Sequence, residues 1–360
     1  MEPRPKPIRL ILVFGGQSAE REISCLTAAH LVRAASPERY EIHTIGIDKA
    51  GQLVRVAPVE ISESPEGGDV RPLAPIGDPC SVSEILNTPT TATQTVVIPL
   101  LHGPLGEDGT FQGLLEMTDV AYVGAGVLGS ACAMDKAMAK TIMDAHGIPQ
   151  AAWTSFFEHQ AQTADMAAQA IEAVGLPCFV KPANMGSSIG VSKASTPGEL
   201  EIALVEAFRY DEVVVVEEAI VGREIEFGVL GNHDVEVTVP GEITPGADFY
   251  DYNDKYFDGA AKLQIPADVD AESIATMETL ARQAYSALRV EGMARADFLF
   301  EEGGRGPLIN ELNTIPGFTP ISMYPKLWDA SGVSYQQLID RLVDLAIERH
   351  ARRSMKRAAT

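Results

Sequence analysis

Arg295 and Asp297 stand two residues apart in the run Ala294–Phe298, and Glu311 and Asn313 stand two apart in the run Ile309–Asn313. Between the runs lies Glu301-Glu302-Gly303-Gly304-Arg305-Gly306, a stretch of turn formers that reads as a hairpin connection. Side chains two apart on a strand share a face. A hairpin would therefore gather a guanidinium, two carboxylates and an amide on one side, leaving Ala294, Ala296, Phe298 and Phe300 on the other. Oxygen ligands of mixed charge suit Mg²⁺ or Mn²⁺, ions that hold a nucleotide's phosphates, and an arginine beside them can meet the charge left over. An ordinary hairpin with surface salt bridges has the same spacing, so the rest of the chain must decide.

Asn184-Met185-Gly186-Ser187-Ser188-Ile189-Gly190 joins two strand-like runs and resembles a flap over phosphates, not a strand-to-helix cradle. Its glycines permit close backbone approach, and the N–H groups of Ser187 and Ser188 could bind phosphate oxygens. Lys181, upstream of the loop, and Lys136 in Met134-Asp135-Lys136 could add positive charge there. A plain hairpin loop with a solvated lysine fits the same letters. Glu217 and Glu224 flank a segment able to line an adenine and ribose pocket. Phe249–Tyr256 packs three tyrosines beside Lys255, which fits a substrate lid or an aromatic cluster under a loop.

Gly124-Ala125-Gly126-Val127-Leu128-Gly129 matches the dinucleotide fingerprint GxGxxG, but Pro149 stands where a ribose-binding acid should close the next strand. We read the motif as a tight crossover between domains. A nicotinamide-dependent oxidoreductase is the rival from another class, and a catalytically silent nucleotide-binding module is a third option. The Walker phosphate loop is absent from the sequence.

At 360 residues, two or three domains are expected, and a formal charge of −22 opposes a broad grip on nucleic acid or an anionic membrane. The basic tail Arg349, Arg352, Arg353, Lys356, Arg357 reads as a solvated helix end. Cys25, Cys80, Cys132 and Cys178 form no CxxC pair, which points to free thiols in a reducing compartment. Without a signal-peptide core or a run long enough to span a membrane, the expected location is the cytoplasm.

Strands are expected at 8–14, 40–47 and 96–101, with a helix starting at Ser18 as N-cap and Glu20 in its first turn. This strand–helix–strand order implies a parallel sheet with ligands at the carboxyl ends, where His102 and Glu107 fall. Residues 55–94 read as a surface excursion. One helix is expected around 130–146, then a strand at 152–157, a helix at 163–174, and strands at 178–182 and 213–216. The last part should hold strands at 223–230, 234–240 and 261–265, the hairpin, and helices at 270–288 and 334–350.

Taken together the motifs resemble the D-alanine–D-alanine ligases of the ATP-grasp superfamily. They are Gly15–Glu22, Leu101-His102-Gly103 with Gly106–Gly109, Met134-Asp135-Lys136 and Val180-Lys181-Pro182. Gly186–Gly190, Tyr250-Asp251-Tyr252 with Lys255-Tyr256, Arg295-Ala296-Asp297 and Asn310–Gly317 follow in the family's order. The resemblance implies an α/β fold, α+β in parts, with an N-terminal parallel-sheet domain (1–124) and two domains (125–221 and 222–360) sandwiching ATP. It also implies that Glu20 holds the ammonium of a first D-alanine, with His102 alongside, while Arg295 and the Gly317 amide meet its carboxylate and oxyanion. Ser322 and Met323 would receive the second D-alanine. Lys136, Lys181, Lys255, Ser187 and Ser188 would hold phosphates, and Glu217, Glu218, Ile220, Glu224 and Asn310 would sit around the nucleotide. Asp297, Glu311 and Asn313 would carry two Mg²⁺ or Mn²⁺ ions. Ser187 and Tyr256 would lock the lid with Glu20, and tyrosine at 256 favours the dipeptide over the D-lactate product; a D-alanine–D-lactate or D-alanine–D-serine ligase is the alternative within the family. A homodimer is implied by the family alone.

Overall fold

The computed structural model describes residues 7–57, 70–88, 90, 92–244 and 262–359. The tyrosine-rich segment around Lys255 and Tyr256 lies outside them.

The first sheet contains β1 (Ile8–Gly15), β2 (Tyr40–Ile47), β3 (Leu53–Val56), β4 (Asp78–Pro79), β5 (Thr95–Leu100) and β6 (Ala121–Tyr122), in the order β4-β3-β2-β1-β5-β6. β1 pairs in parallel with β2 and β5, and β5 with β6; β3 and β4 extend one edge antiparallel. From Leu10 to Phe14 β1 is apolar, because both faces are covered. Leu10, Leu12 and Phe14 enter one core and Ile11 and Val13 the other. The helices α1 (Arg21–Ala34), α2 (Val82–Leu86) and α3 (Thr110–Met117) belong to this part. α1 begins two residues later than its Ser18 cap predicts: Glu20 is the N-cap and makes no side-chain cap bond, so its carboxylate serves elsewhere.

The expected helix at 130–146 is two helices, α4 (Val127–Met134) and α5 (Lys136–Ala145), broken at Asp135. Asp135 ends the first and caps the second, accepting the Met138 N–H at 2.9 Å, so Lys136 opens a helix instead of sitting inside one. Two glycines of the GxGxxG run serve packing: a Cβ on Gly129 would stand 2.7 Å from the Arg289 carbonyl, and one on Gly126 2.9 Å from Arg353.

The second sheet holds β7 (Trp153–Phe157), β8 (Cys178–Pro182), β9 (Ser192–Ala194) and β10 (Val213–Glu218), ordered β7-β10-β8-β9. Val180, Val214 and Val216 pack on α6 (Thr163–Val174) and α7 (Pro197–Ala207). Alternation then turns Lys181 and Glu217 to the opposite face.

The third sheet contains β11 (Arg223–Gly231), β12 (Glu236–Val237), β13 (Gly241–Thr244), β14 (Lys262–Gln264), β15 (Gly292–Glu301) and β16 (Gly306–Asn313). Ile225, Phe227, Ala294, Ala296 and Phe298 build its core with α8 (Ala271–Ala287), and the intervening polar residues take the other face. The strand expected over 234–240 shrinks to β12, and α9 (Met323–Ala330) was not anticipated. The last helix, α10 (Tyr335–Arg357), runs beyond residue 350 and returns to the first sheet, where Leu338, Leu342 and Ala346 join the core of Leu10 and Val96.

The basic tail is a helix end with Lys356 and Arg357 exposed, as expected, but its arginines are held by acids and carbonyls. Arg353 and Arg357 pair with Glu116, Arg352 and Arg353 with Glu291, and Arg357 with Asp119 at 2.9 Å. Arg349 is buried and donates to the carbonyls of Tyr122 and Gly124.

Candidate active site

The β15–β16 hairpin forms as its spacing predicts: Arg295 lies opposite Asn313 and Asp297 opposite Glu311. Arg295 grips Asp297 with two bonds, Nε to Oδ1 at 2.7 Å and Nη2 to Oδ2 at 2.6 Å. A register shift next to Asp297 leaves Asn310 as the extra residue of a bulge. Simple alternation would aim Asn310 away from Glu311; the bulge lets it turn toward the second sheet, where its Oδ1 lies 3.4 Å from Lys181 Nζ. The polar faces of the two sheets meet at this contact.

Lys181 also donates to Glu217 at 3.0 Å, and Lys140, on the same face of α5 as Lys136, lies 3.5 Å from the same carboxylate. Burial alone raises the Glu217 carboxyl, but Lys140 and Lys181 outweigh it and hold it down at about 2. Lys136 donates to the Met185 carbonyl at 2.6 Å, which ties α5 to the glycine loop. Burial lowers the Lys136 ammonium, while Glu311 pulls the other way. In that loop, Ser187 and Ser188 adopt φ of +50° and +58°, a left-handed conformation held against its intrinsic cost. Ser187 Oγ donates to Glu20 at 2.5 Å, so the loop of the second sheet reaches the start of α1 in the first part of the chain.

His102 and Glu107 flank that contact, 3.7 Å apart and both buried. Burial lowers the His102 imidazolium, but the bond to Glu107 and the charge of Glu20 prevail and raise it. On the far side Ser322 is the N-cap of α9 and accepts the Thr319 N–H at 3.2 Å, so its hydroxyl does not cap its own helix. Gly317 is needed next to it: a Cβ there would stand 3.2 Å from Ser322 Oγ. Tyr335 steadies the loop by donating to the Phe318 carbonyl at 2.6 Å.

One cavity of about 340 Å³ is lined by Glu20, His102, Lys136, Ser187, Arg295, Glu311, Asn313, Gly317, Ser322 and Met323. Lys181, Glu217 and Asn310 form the polar cluster beside it. Asp297 is held under Arg295, and Ser188 follows Ser187 in the loop. Glu224 shares the polar face of β11, and Ile220 follows β10 half-buried. The Glu218 side chain is not brought into the cluster. It turns the other way, accepting the Ala152 N–H at 2.7 Å and pairing with Arg305 at 2.6 Å. Lys255 and Tyr256 lie outside the described residues. Lys140 and Glu226 belong to the site without standing in any of the motifs. Their signals were a lysine one turn after Lys136 and a glutamate two residues after Glu224.

A largely parallel sheet followed by two antiparallel sheets, whose lysine- and carboxylate-bearing faces meet across a cleft, defines the ATP-grasp architecture. Residues 9–125 match the family model described as D-ala D-ala ligase N-terminus, and residues 142–344 match that for the D-ala D-ala ligase C-terminus. The D-alanine–D-alanine ligase of Bacillus pumilus is 47% identical, covering 95% of this chain and 97% of that relative. That of Halothermothrix orenii is 44% identical, over 95% and 98%. Among solved structures, the D-alanine–D-alanine ligase from Coxiella burnetii superposes with a TM-score of 0.83 at 34% identity, covering 98% of each chain. The VanG D-Ala:D-Ser ligase from Enterococcus faecalis gives 0.79 at 31% identity, over 95% of this chain and 100% of that one. The chain belongs to the D-alanine–D-alanine ligase family.

Proposed function

We propose that this protein joins two D-alanines into D-alanyl-D-alanine at the expense of ATP, supplying a peptidoglycan precursor. The observation that carries this reading is the convergence of Glu20, Ser187, Arg295 and Gly317 on one cavity, with Lys136 at its edge and Lys181 in the adjoining cluster. A carboxylate is a poor acyl donor. Transfer of the γ-phosphoryl group to a carboxylate oxygen of the first D-alanine gives an acyl phosphate and ADP. The amine of the second D-alanine then attacks the carbonyl carbon, loses a proton, and phosphate departs with the C–O bond electrons.

Glu20 holds the first ammonium, with His102 alongside, and Arg295 with the Gly317 N–H meets the oxyanion. Ser322 and Met323, at the N-terminus of α9, receive the second carboxylate. Lys136, Lys181, Lys255 and the Ser187–Ser188 amides hold the phosphates, while Glu217, Ile220, Glu224 and Asn310 surround the nucleoside; Glu218, whose carboxylate pairs with Arg305, offers the nucleoside only its backbone. The oxygens of Asp297, Glu311 and Asn313 fit Mg²⁺ or Mn²⁺: although Arg295 occupies both Asp297 oxygens, each carboxylate oxygen has a second lone pair. When bound, two such ions offset the charge on the transferring phosphoryl group. The Ser187–Glu20 bond, to which the family resemblance adds Tyr256, keeps water from the acyl phosphate.

The working units are residues 1–124, 125–221 and 222–360, in a cytoplasmic homodimer as the family resemblance implies. Protein incubated with ATP, Mg²⁺ and D-alanine should release phosphate in step with dipeptide, and with D-lactate or D-serine added the dipeptide should still dominate. Phosphate release no greater than without D-alanine would overturn the assignment.

A further inference from the structure

Glu226 has no part in the scheme above, yet it belongs to the same polar rung. β11 and β16 flank β15, and the registers set Glu226 opposite Asp297 on one side and Glu311 opposite Asp297 on the other. Three carboxylates therefore cross three adjacent strands in line, with Arg295 two residues along β15 on the same face. Glu226 is buried, lines the cavity, and its Oε2 lies 3.0 Å from Arg295 Nε. The residue of β11 opposite Arg295 is Gly228, so no side chain there competes for the guanidinium.

We infer that Glu226 is a positioning residue for Arg295, a second anchor that keeps the guanidinium aimed into the cavity when Asp297 is drawn toward other partners. Arg295 directs Nε and Nη2 at Asp297, so the Asp297 carboxylate is its main hold. Asp297 is also one of the oxygen donors suited to a divalent cation, and a cation there weakens its grip on an arginine by competing for the same charge. With Asp297 alone, the guanidinium would shift whenever that competition arose. Glu226 approaches Nε from β11, on the other side of β15 from β16. Burial makes this second contact strong, because the pair is shielded from water; without Glu226 the guanidinium still keeps both bonds to Asp297, so the fold is not left with an unpaired charge. Positional error of the order of an ångström in a group that stabilises developing charge is enough to slow a reaction severely.

This inference rests on the ligase reading and is tested in the full-length protein with ATP, Mg²⁺ and D-alanine. Glu226→Gln keeps size and an acceptor oxygen but removes the charge. It should lower kcat roughly 10- to 100-fold while leaving KM for ATP within about twofold and the melting temperature close to that of the parent. Glu226→Asp, which keeps the charge on a shorter stem, should fall between the two and serves as the readout should Glu226→Gln fold poorly. In an Arg295→Lys background the Glu226→Gln change should cost no more than about twofold further, since its route of action is already gone. Unchanged kcat in an active protein, a parallel rise in KM for ATP, or losses that multiply in the double variant would overturn the inference alone. Absence of D-alanine-dependent turnover in the parent protein would sink the ligase reading, and this inference with it.

Discussion

Glu217 shows how a single residue's chemistry is set by neighbours distant in sequence. Burial favours its neutral form, yet Lys140 and Lys181 hold its carboxyl at about 2, against an ordinary value of 4.5. A carboxyl depressed on folding adds stability that is fully present above the unfolded value and lost as pH falls through the folded one. Between pH 4.5 and 2 this cluster should therefore lose up to about 3 kcal/mol. Denaturant unfolding at stepped pH would show it, and Glu217→Gln, whose amide does not titrate, should decline less steeply over that window. Equal slopes would contradict the cluster's electrostatics. Residue types and spacing made Arg295, Asp297, Glu311 and Asn313 legible, because a hairpin is local and its alternation regular. Lys140 was hidden: a lysine at that position of a helix reads as a solvated side chain, and only the packing of α5 against β10 buries it.

At the scale of elements, long apolar runs declared themselves, and β2, α6 and β8 fall where periodicity sets them. The misses are places where one side chain overrides a run. Asp135 caps its own successor and splits a helix; a bulge at Asn310 breaks alternation; Glu20, not Ser18, heads α1. Helix α9 is short, and the strand beneath it must approach closely. A Cβ on Gly228 would stand 2.8 Å from Trp328 Nε1 and 3.0 Å from Thr238. Gly228→Ala should accordingly lift α9 from β11, costing about 1–3 kcal/mol. Because α9 carries Ser322 and Met323, the same change should raise KM for the second D-alanine more than KM for ATP. A variant as stable as the parent, with both constants unchanged, would show that the contact does not set the helix position.

For the whole molecule, the return of α10 to the first sheet fixes the outer parts of the cleft relative to each other. Its anchor is Arg349, buried, lying 4.4 Å from the Tyr122 ring centroid and donating to the carbonyls of Tyr122 and Gly124. No local pattern announces such a contact, because its partners lie more than 200 residues earlier in the chain. The tail therefore reads as solvated until the fold is known. Arg349→Met strands two carbonyls and should cost about 3 kcal/mol, read as a lower denaturation midpoint; an unchanged midpoint would remove α10 from this role. The parallel sheet and paired β-faces, by contrast, follow from runs any strand rule finds.

What all these contacts would serve is activation of one carboxylate by ATP, and an isotope can follow that step. With D-alanine carrying ¹⁸O in its carboxylate, ATP and Mg²⁺, one ¹⁸O should pass into each phosphate released as dipeptide forms, detected by ³¹P resonance shift or mass. Phosphate free of label alongside dipeptide would contradict activation through an acyl phosphate at this site.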